Sequence, residues 1–183
     1  YLIIQDRPVL YYSLKALEDS AVDEIVLVVG KGEEKFCRKE IVDKYGISKV
    51  KAIVEGGKER YHSVFEGLKQ TSDADYVLIH DGARPFVNQD IIRRCMQEVQ
   101  KYQACVVGMP VKDTIKIADE EGYAKQTPDR KNVWMIQTPQ TFSYALIYEA
   151  YEEMLKTEDT AITDDAMVLE RIKGKKSKLI EGS

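Results

Sequence analysis

Six short runs of this 183-residue sequence carry residue types suited to chemistry on an anion. Gly56-Gly57-Lys58-Glu59-Arg60 joins an apolar stretch to a helical one. Two glycines let a backbone approach a ligand closely, and the helix start that follows offers free N–H groups; the same pair also makes a tight turn with no ligand at all. His80-Asp81-Gly82-Ala83-Arg84-Pro85-Phe86 places a carboxylate directly after a second apolar stretch. A carboxylate there can hold Mg2+ and so neutralise phosphate charge, and Arg84 supplies a planar fork for an anion or braces the loop against Asp81. His80 reads as a core or supporting residue rather than a general base. Lys112-Asp113-Thr114 crowds the end of a third stretch. Thr127-Pro128-Asp129-Arg130 and Gln137-Thr138-Pro139-Gln140 are both stiffened by proline, and each either aims a hydroxyl or guanidinium at an anion or shapes a turn. Thr163-Asp164-Asp165 opens a helix, with Thr163 as a candidate N-cap and the acids suited to a first turn.

These runs need elements that bring them together. Pro8 suits a first helical turn, and Leu10, Leu14 and Leu17 follow at helical spacing. Helices are also predicted over 33–45 (stopped by Gly46), 60–70, from Asn88 along a stripe of Ile91, Ile92, Cys95, Met96 and Val99, over 144–156, and over 164–173. Strands are predicted over 24–29, 50–54, 76–80, 104–111 and 178–180. Strands that are apolar throughout, alternating with helices, imply a parallel sheet covered on both faces, and in such sheets ligands bind beyond the carboxyl ends of the strands. Residues 115–134 break the alternation: polar, with Gly122 and Pro128, they read as a hairpin or arm standing off the sheet. No repeat or linker divides the chain, so residues 1–183 are expected to form one domain.

Composition removes several classes. Apolar residues are 44%, charged residues 32%, and only 11 Gly and 5 Pro occur, which excludes a disordered or collagen-like chain. A net charge of −4 gives no basic excess for nucleic acid or a membrane surface. The longest apolar run, about five residues at 25–29, falls far short of the roughly 20 needed to span a bilayer. Cys37, Cys95 and Cys105 are odd in number and widely spaced, as in a reduced, cytoplasmic protein, and His80 and His62 are too few for a His/Cys zinc cluster. No Walker A, Gly-x-Gly-x-x-Gly or Gly-x-Ser-x-Gly pattern is present, and no signal-peptide pattern opens the chain. The residues alone reach a doubly wound α/β domain with an anion-rich, Mg2+-assisted site.

Taken together and in order, Val54-Glu-Gly-Gly-Lys-Glu-Arg60 with Ser63-Val64, His80 to Phe86, Pro110-Val-Lys-Asp-Thr-Ile115, Thr127 to Arg130, Gln137 to Gln140 and Thr163-Asp-Asp-Ala166 resemble the 2-C-methyl-D-erythritol 4-phosphate cytidylyltransferase family. The match runs from Asp6-Arg-Pro-Val9 to Glu181-Gly-Ser183. The resemblance implies a Rossmann-like nucleotidyltransferase with a mostly parallel sheet and a protruding β-arm. It implies transfer of CMP from CTP to the sugar-alcohol phosphate, with Mg2+ and release of pyrophosphate. Gly56, Gly57 and Ser63 would serve the cytosine side. Asp81, Gly82 and Ala83 would hold ribose and the Mg2+–phosphate group, with Asp81 as metal ligand and Arg84 bracing the loop. Thr114, Arg130, Thr138 and Thr163 would bind methylerythritol phosphate, Arg130 orienting it for attack. The 115–134 arm would exchange between the subunits of a homodimer, carrying Thr114 and Arg130 to the neighbour's site.

The sequence also departs from that family. Its N-terminal strand and glycine-rich loop, with an Arg and a Lys, would precede Tyr1, and an Asn-x-Lys-x-Thr block would follow Ser183. Both ends are therefore expected to be incomplete, and these 183 residues alone inactive. Rival readings are a ribitol-5-phosphate cytidylyltransferase, a non-catalytic nucleotide-binding or dimerisation fragment, and fusion to a cyclase.

Overall fold

Short apolar runs bury both faces only if helices pack on each side, and the computed structural model of the protein takes that form. The structure describes residues 1–71, 73–157 and 161–183. In chain order the elements are β1 (Ile3–Ile4), β2 (Arg7–Pro8), α1 (Val9–Glu18), β3 (Ile25–Val29), α2 (Glu34–Cys37), β4 (Val50–Glu55), α3 (Arg60–Leu68), β5 (Tyr76–Ile79), α4 (Gln89–Tyr102), β6 (Ala104–Pro110), β7 (Ile117–Ala118), β8 (Ala124–Gln126), β9 (Trp134–Ser143), α5 (Tyr144–Met154), α6 (Asp165–Lys173) and β10 (Lys178–Glu181). No helix among the described residues is long and apolar enough to cross a membrane.

The central sheet has the order β10-β6-β9-β5. β10 runs parallel to β6, whereas β9 is antiparallel to both β6 and β5, so three strands share one direction and β9 opposes them. β6 shows why its run is apolar at every position. Ala104 and Val106 face a core built by Leu68, Phe142, Ile147, Tyr151 and Leu169, while Cys105 and Val107 face Ile91, Cys95, Val99 and Ile180 on the other side. Successive side chains of a strand point to opposite faces, so a strand covered twice must be apolar twice. Asn88 caps α4 by accepting from the Ile91 N–H at 2.9 Å, as its position predicts.

β3 and β4 form a separate parallel pair, packed with α1 and α2 around Leu14, Leu27, Ile41 and Val50. Among the described residues β3 pairs only with β4, and β5 only with β9. β3 and β5 both line, along their whole lengths, a cleft of about 1700 Å³ that also reaches the loops after β4 and β5. The predicted arm is a small hairpin, β7 pairing with β8 from Ile117↔Gln126 to Ala118↔Ala124.

Four expectations change. The sheet is mostly parallel but not wholly so: β9 opposes the other three strands and runs through the Pro139 segment, which the sequence offers as either a turn or an aimed hydroxyl. In β9 the residues between Gln140 and Ile136 outnumber the single residue between their partners Val106 and Gly108, so a bulge accommodates the proline, which has no N–H to offer the ladder. Gln137–Gln140 is thus strand interior. The N-cap of α6 is Asp164, not Thr163: its carboxylate accepts from the Met167 N–H at 2.8 Å. The helix predicted over 33–45 begins as α2 and continues as a π-helical turn over Arg38–Asp43. The sheet is also divided, with β3 and β4 apart from the four central strands.

Candidate active site

The exits of β4 and β5 open onto the same cleft, whose walls include Gly56, Gly57, Ser63, Asp81, Gly82 and Ala83. At the β4 exit the Gly56 N–H bonds to the Val29 carbonyl at 2.8 Å and the Gly57 N–H donates to Ser63 Oγ at 3.1 Å, folding the turn back on α3. A Cβ on Gly56 would lie 2.5 Å from Ser63 Oγ, and one on Gly57 only 2.4 Å from His62 Cβ, so a side chain at either position would force Ser63 or His62 to shift. The two glycines thus shape this turn, and their backbone is the cleft wall as well.

At the β5 exit, the loop from His80 is held from three directions. Ser13 of α1, itself buried, donates to the carbonyls of Gly82 (3.0 Å) and Arg84 (3.2 Å). The Arg84 N–H closes a turn on the Asp81 carbonyl at 3.0 Å, and its Nε meets Asp81 Oδ2 at 3.2 Å. Thr138, aimed by the β9 bulge, accepts the Asp81 N–H at 3.1 Å and contacts His80 Nδ1 at 3.0 Å. His80 Nε2 lies 3.0 Å from the Arg84 carbonyl, which can only accept, so Nε2 carries the proton and Nδ1 accepts from the Thr138 hydroxyl. Burial pushes the His80 pKa below its ordinary 6.5, which favours that neutral tautomer. Thr138 is 8% exposed, and one lone pair of its hydroxyl remains open.

A network unforeseen in the sequence connects this loop to α6. Asp165 is completely buried. Its Oδ1 accepts from Arg60 Nη1 at 3.0 Å and from the Tyr151 hydroxyl at 2.5 Å, and its Oδ2 accepts from Arg60 Nη2 at 2.9 Å. Burial, then the adjacent Asp165 charge, push the Tyr151 pKa well above 10, so the phenol stays a donor. Arg60 also reaches Asp81 Oδ1 through Nε and Nη2, both at 3.2 Å. Gln140 completes the frame, accepting the Ala166 N–H at 2.9 Å and donating to Asp164 Oδ2 at 3.1 Å. One signal for Asp165 existed: of two adjacent acids only Asp164 caps α6, and the other, facing the core, needs a cation.

The remaining predicted residues lie apart from the cleft walls. Thr163 precedes the Asp164–Asp165 pair and is exposed, its hydroxyl 3.9 Å from Met167 Sδ. Thr114 is exposed beyond β6. Arg130 is exposed after the hairpin, with Nη1 donating to the Lys112 carbonyl at 3.0 Å. The structure thus gathers the predicted nucleotide-side residues around one cleft, Arg84 standing just behind Asp81, and leaves Thr114 and Arg130 on the arm side. For a metal, the donor set is one carboxylate: no cluster of three or more His, Cys, Asp or Glu side chains occurs among the described residues. One carboxylate could share a hard divalent cation only with ligands supplied from outside the protein.

Comparison with known proteins gives the chain's family. The sequence profile of the family described as IspD, 2-C-methyl-D-erythritol 4-phosphate cytidylyltransferase, matches residues 1–183. The cytidylyltransferase of that name from Lachnoclostridium phytofermentans is 46% identical over all of this chain and 78% of its own length. The one from Lachnospira eligens is 50% identical over 98% of this chain and 80% of its own length. The crystal structure of 4-diphosphocytidyl-2C-methyl-D-erythritol synthase from Anaerococcus prevotii superimposes with a TM-score of 0.91 at 35% identity, covering all of this chain and 80% of that one. The cytidylyltransferase from Thermus thermophilus gives 0.82 at 31% identity, covering all of this chain and 83% of that one. With the family profile matched along its whole length and relatives 46% and 50% identical to it, the chain belongs to the 2-C-methyl-D-erythritol 4-phosphate cytidylyltransferase family.

Proposed function

We propose a layout for the reaction that family membership gives this chain, transfer of CMP from CTP to 2-C-methyl-D-erythritol 4-phosphate with release of pyrophosphate. CTP enters the cleft between the β4 and β5 exits. Gly56, Gly57 and Ser63 receive the cytosine, where backbone N–H and C=O groups can read a base edge. Asp81, Gly82 and Ala83 receive ribose and phosphates, with Arg84 behind Asp81. The observation that carries this layout is that the two glycine-containing loops, distant in sequence, wall the same cleft.

Both reactants are anions, so the barrier is lowered mainly by positioning and charge neutralisation. A phosphate oxygen of methylerythritol phosphate attacks the α-phosphorus in line; a P–O bond forms there as the bond to the bridging pyrophosphate oxygen breaks, and its electron pair leaves with pyrophosphate. Mg2+ beside Asp81 would neutralise triphosphate charge. Arg130 would hold the attacking phosphate, with Thr114 and Thr163 as hydroxyl donors, and Thr138 would serve mainly by aiming the Asp81 loop. Exposed Thr114 and Arg130, and apolar residues bare on the same arm (Ile117 and Tyr123, 45% and 70% exposed), support a homodimer in which the arm over 115–134, part of a single domain, reaches a neighbouring site. Three buried free thiols support a cytoplasmic location.

Pyrophosphate release from CTP by the full-length protein, assayed in parallel with methylerythritol phosphate and ribitol 5-phosphate, tests the reading. Turnover confined to the first is expected; turnover only with ribitol 5-phosphate would overturn the acceptor assignment.

A further inference from the structure

Arg60 touches both carboxylates that frame the site, and it does not treat them alike. Toward Asp165 it makes two parallel bonds of 3.0 and 2.9 Å, the fork-to-carboxylate arrangement that fixes a guanidinium in plane and direction. Asp165 is completely buried, and its Oδ1 is held as well by Tyr151, also completely buried. The far end of the clamp is therefore rigid. Toward Asp81 both contacts are 3.2 Å and converge on a single oxygen, Oδ1. The other oxygen, Oδ2, meets only Arg84 Nε, again at 3.2 Å. The side chain of Asp81 is about a third exposed, whereas that of Asp165 is not exposed at all.

From this asymmetry we infer that Arg60 is a positioning residue for Asp81: anchored on Asp165 and Tyr151, it aims the Asp81 carboxylate into the cleft where the triphosphate and its cation would bind. The inference rests on the layout proposed above and deepens it. The looser pair of contacts leaves Asp81 able to exchange a partner for an incoming cation, while the tight pair keeps the guanidinium from following it. Arg60 also opens α3, the helix that carries Ser63, and Asp165 follows Thr163 by two residues. One side chain thereby sets the spacing between the cytosine turn, the phosphate loop and the entrance to α6. Lysine cannot replace it fully, because a single ammonium has no fork to lock on Asp165 while still reaching Asp81.

The test measures binding of CTP with Mg2+ by titration calorimetry, and KM and kcat, in Arg60→Gln, Arg60→Lys and Tyr151→Phe, each well below its own melting temperature. Arg60→Gln is expected to weaken CTP·Mg2+ binding at least tenfold and to raise the Mg2+ concentration needed for half-maximal rate. The KM for methylerythritol phosphate should stay within about twofold. Arg60→Lys should fall between wild type and Arg60→Gln, and Tyr151→Phe should show a smaller loss in the same direction. If Arg60→Gln does not fold, the other two variants decide. Unchanged CTP·Mg2+ binding in folded variants, beside normal binding by the wild type, would reduce Arg60 to a purely structural ion pair and leave the proposed layout standing. Failure of the wild type to bind CTP with Mg2+ would overturn that layout, and the inference with it.

Discussion

The residues assigned to the nucleotide and those assigned to the acceptor sit on very different supports. Around Asp81 each polar side chain is held by others from several elements: Ser13 from α1, Thr138 from β9, Arg60 from α3 and, behind it, Asp165 and Tyr151 from α6 and α5. On the arm, Arg130 has one bond to a backbone carbonyl of the same segment, and β7 and β8 pair only with each other among the described residues. Preorganisation costs conformational entropy that packing must offset, and the central sheet supplies that packing whereas the hairpin has no core of its own. The residues assigned to the nucleotide are thus held by packing from several elements, whereas those assigned to the acceptor are not. Stability and activity should therefore separate along this line.

The largest effect is expected where the braced side is broken at its root. Asp165→Ala leaves the Tyr151 hydroxyl buried without a partner and unpairs Arg60. Losing one member of a buried pair costs about 3–5 kcal/mol, and because Arg60 can turn partly to solvent the lower end, about 3 kcal/mol, should be read from urea unfolding. Tyr151→Phe removes only the hydroxyl bonded to a charged acceptor, and a loss of about 1.5 kcal/mol is expected in the same measurement. If both variants unfolded like wild type, the contrast between the two sides would collapse.

Arg130→Ala should do the reverse. Its side chain is exposed, so stability should change by no more than about 0.5 kcal/mol. Turnover with methylerythritol phosphate should fall by at least about tenfold, the scale of one lost charged contact, with CTP binding nearly intact. Equal loss of CTP affinity would move Arg130 to the nucleotide side. Tyr123→Ser should leave the unfolding of the isolated chain unchanged and weaken self-association in sedimentation experiments; unaltered association would remove the arm from the proposed dimer contact.

The smallest effect concerns acid. Glu18 fastens the end of α1 to the turn before β4 by accepting from the Ser48 and Lys49 N–H groups at 3.0 and 2.9 Å. Burial alone would raise its pKa, but the Ser48 and Lys49 bonds outweigh that and hold it below the ordinary 4.5. A depressed carboxylate contributes stability that is complete above pH 4.5 and lost as pH falls through its native value. Glu18→Gln should flatten that part of the stability profile below pH 4.5, and an unchanged profile would detach α1, and with it Ser13, from the bracing of the Asp81 loop.

Much of this was legible in the sequence, and the failures have a common cause. The apolar runs of β3, β5 and β6 are short and rich in β-branched residues, which reads as buried strand, and the stripe of α4 has the spacing of a helix covered on one face. β9 left no such pattern. Its buried Gln140 and Thr141 are polar, and Pro139 argues against a ladder until the bulge that absorbs it is seen. The sequence offers Thr163 as the cap of α6, whereas the extended backbone at Asp164 lets that carboxylate take the Met167 N–H instead.

Sequence alone determined the order of glycines, aspartate loop, threonines and arginines that marks one family. It determined too that a layered α/β sheet would carry them, since periodicity is a local property of the chain. The tertiary structure decided which of those residues share a cleft, that Thr138 points under a loop, and that Arg60 is clamped by a carboxylate 105 positions away. Those facts depend on contacts between distant segments, and a charge pair that is fixed only when the core closes around one of its members leaves no local trace.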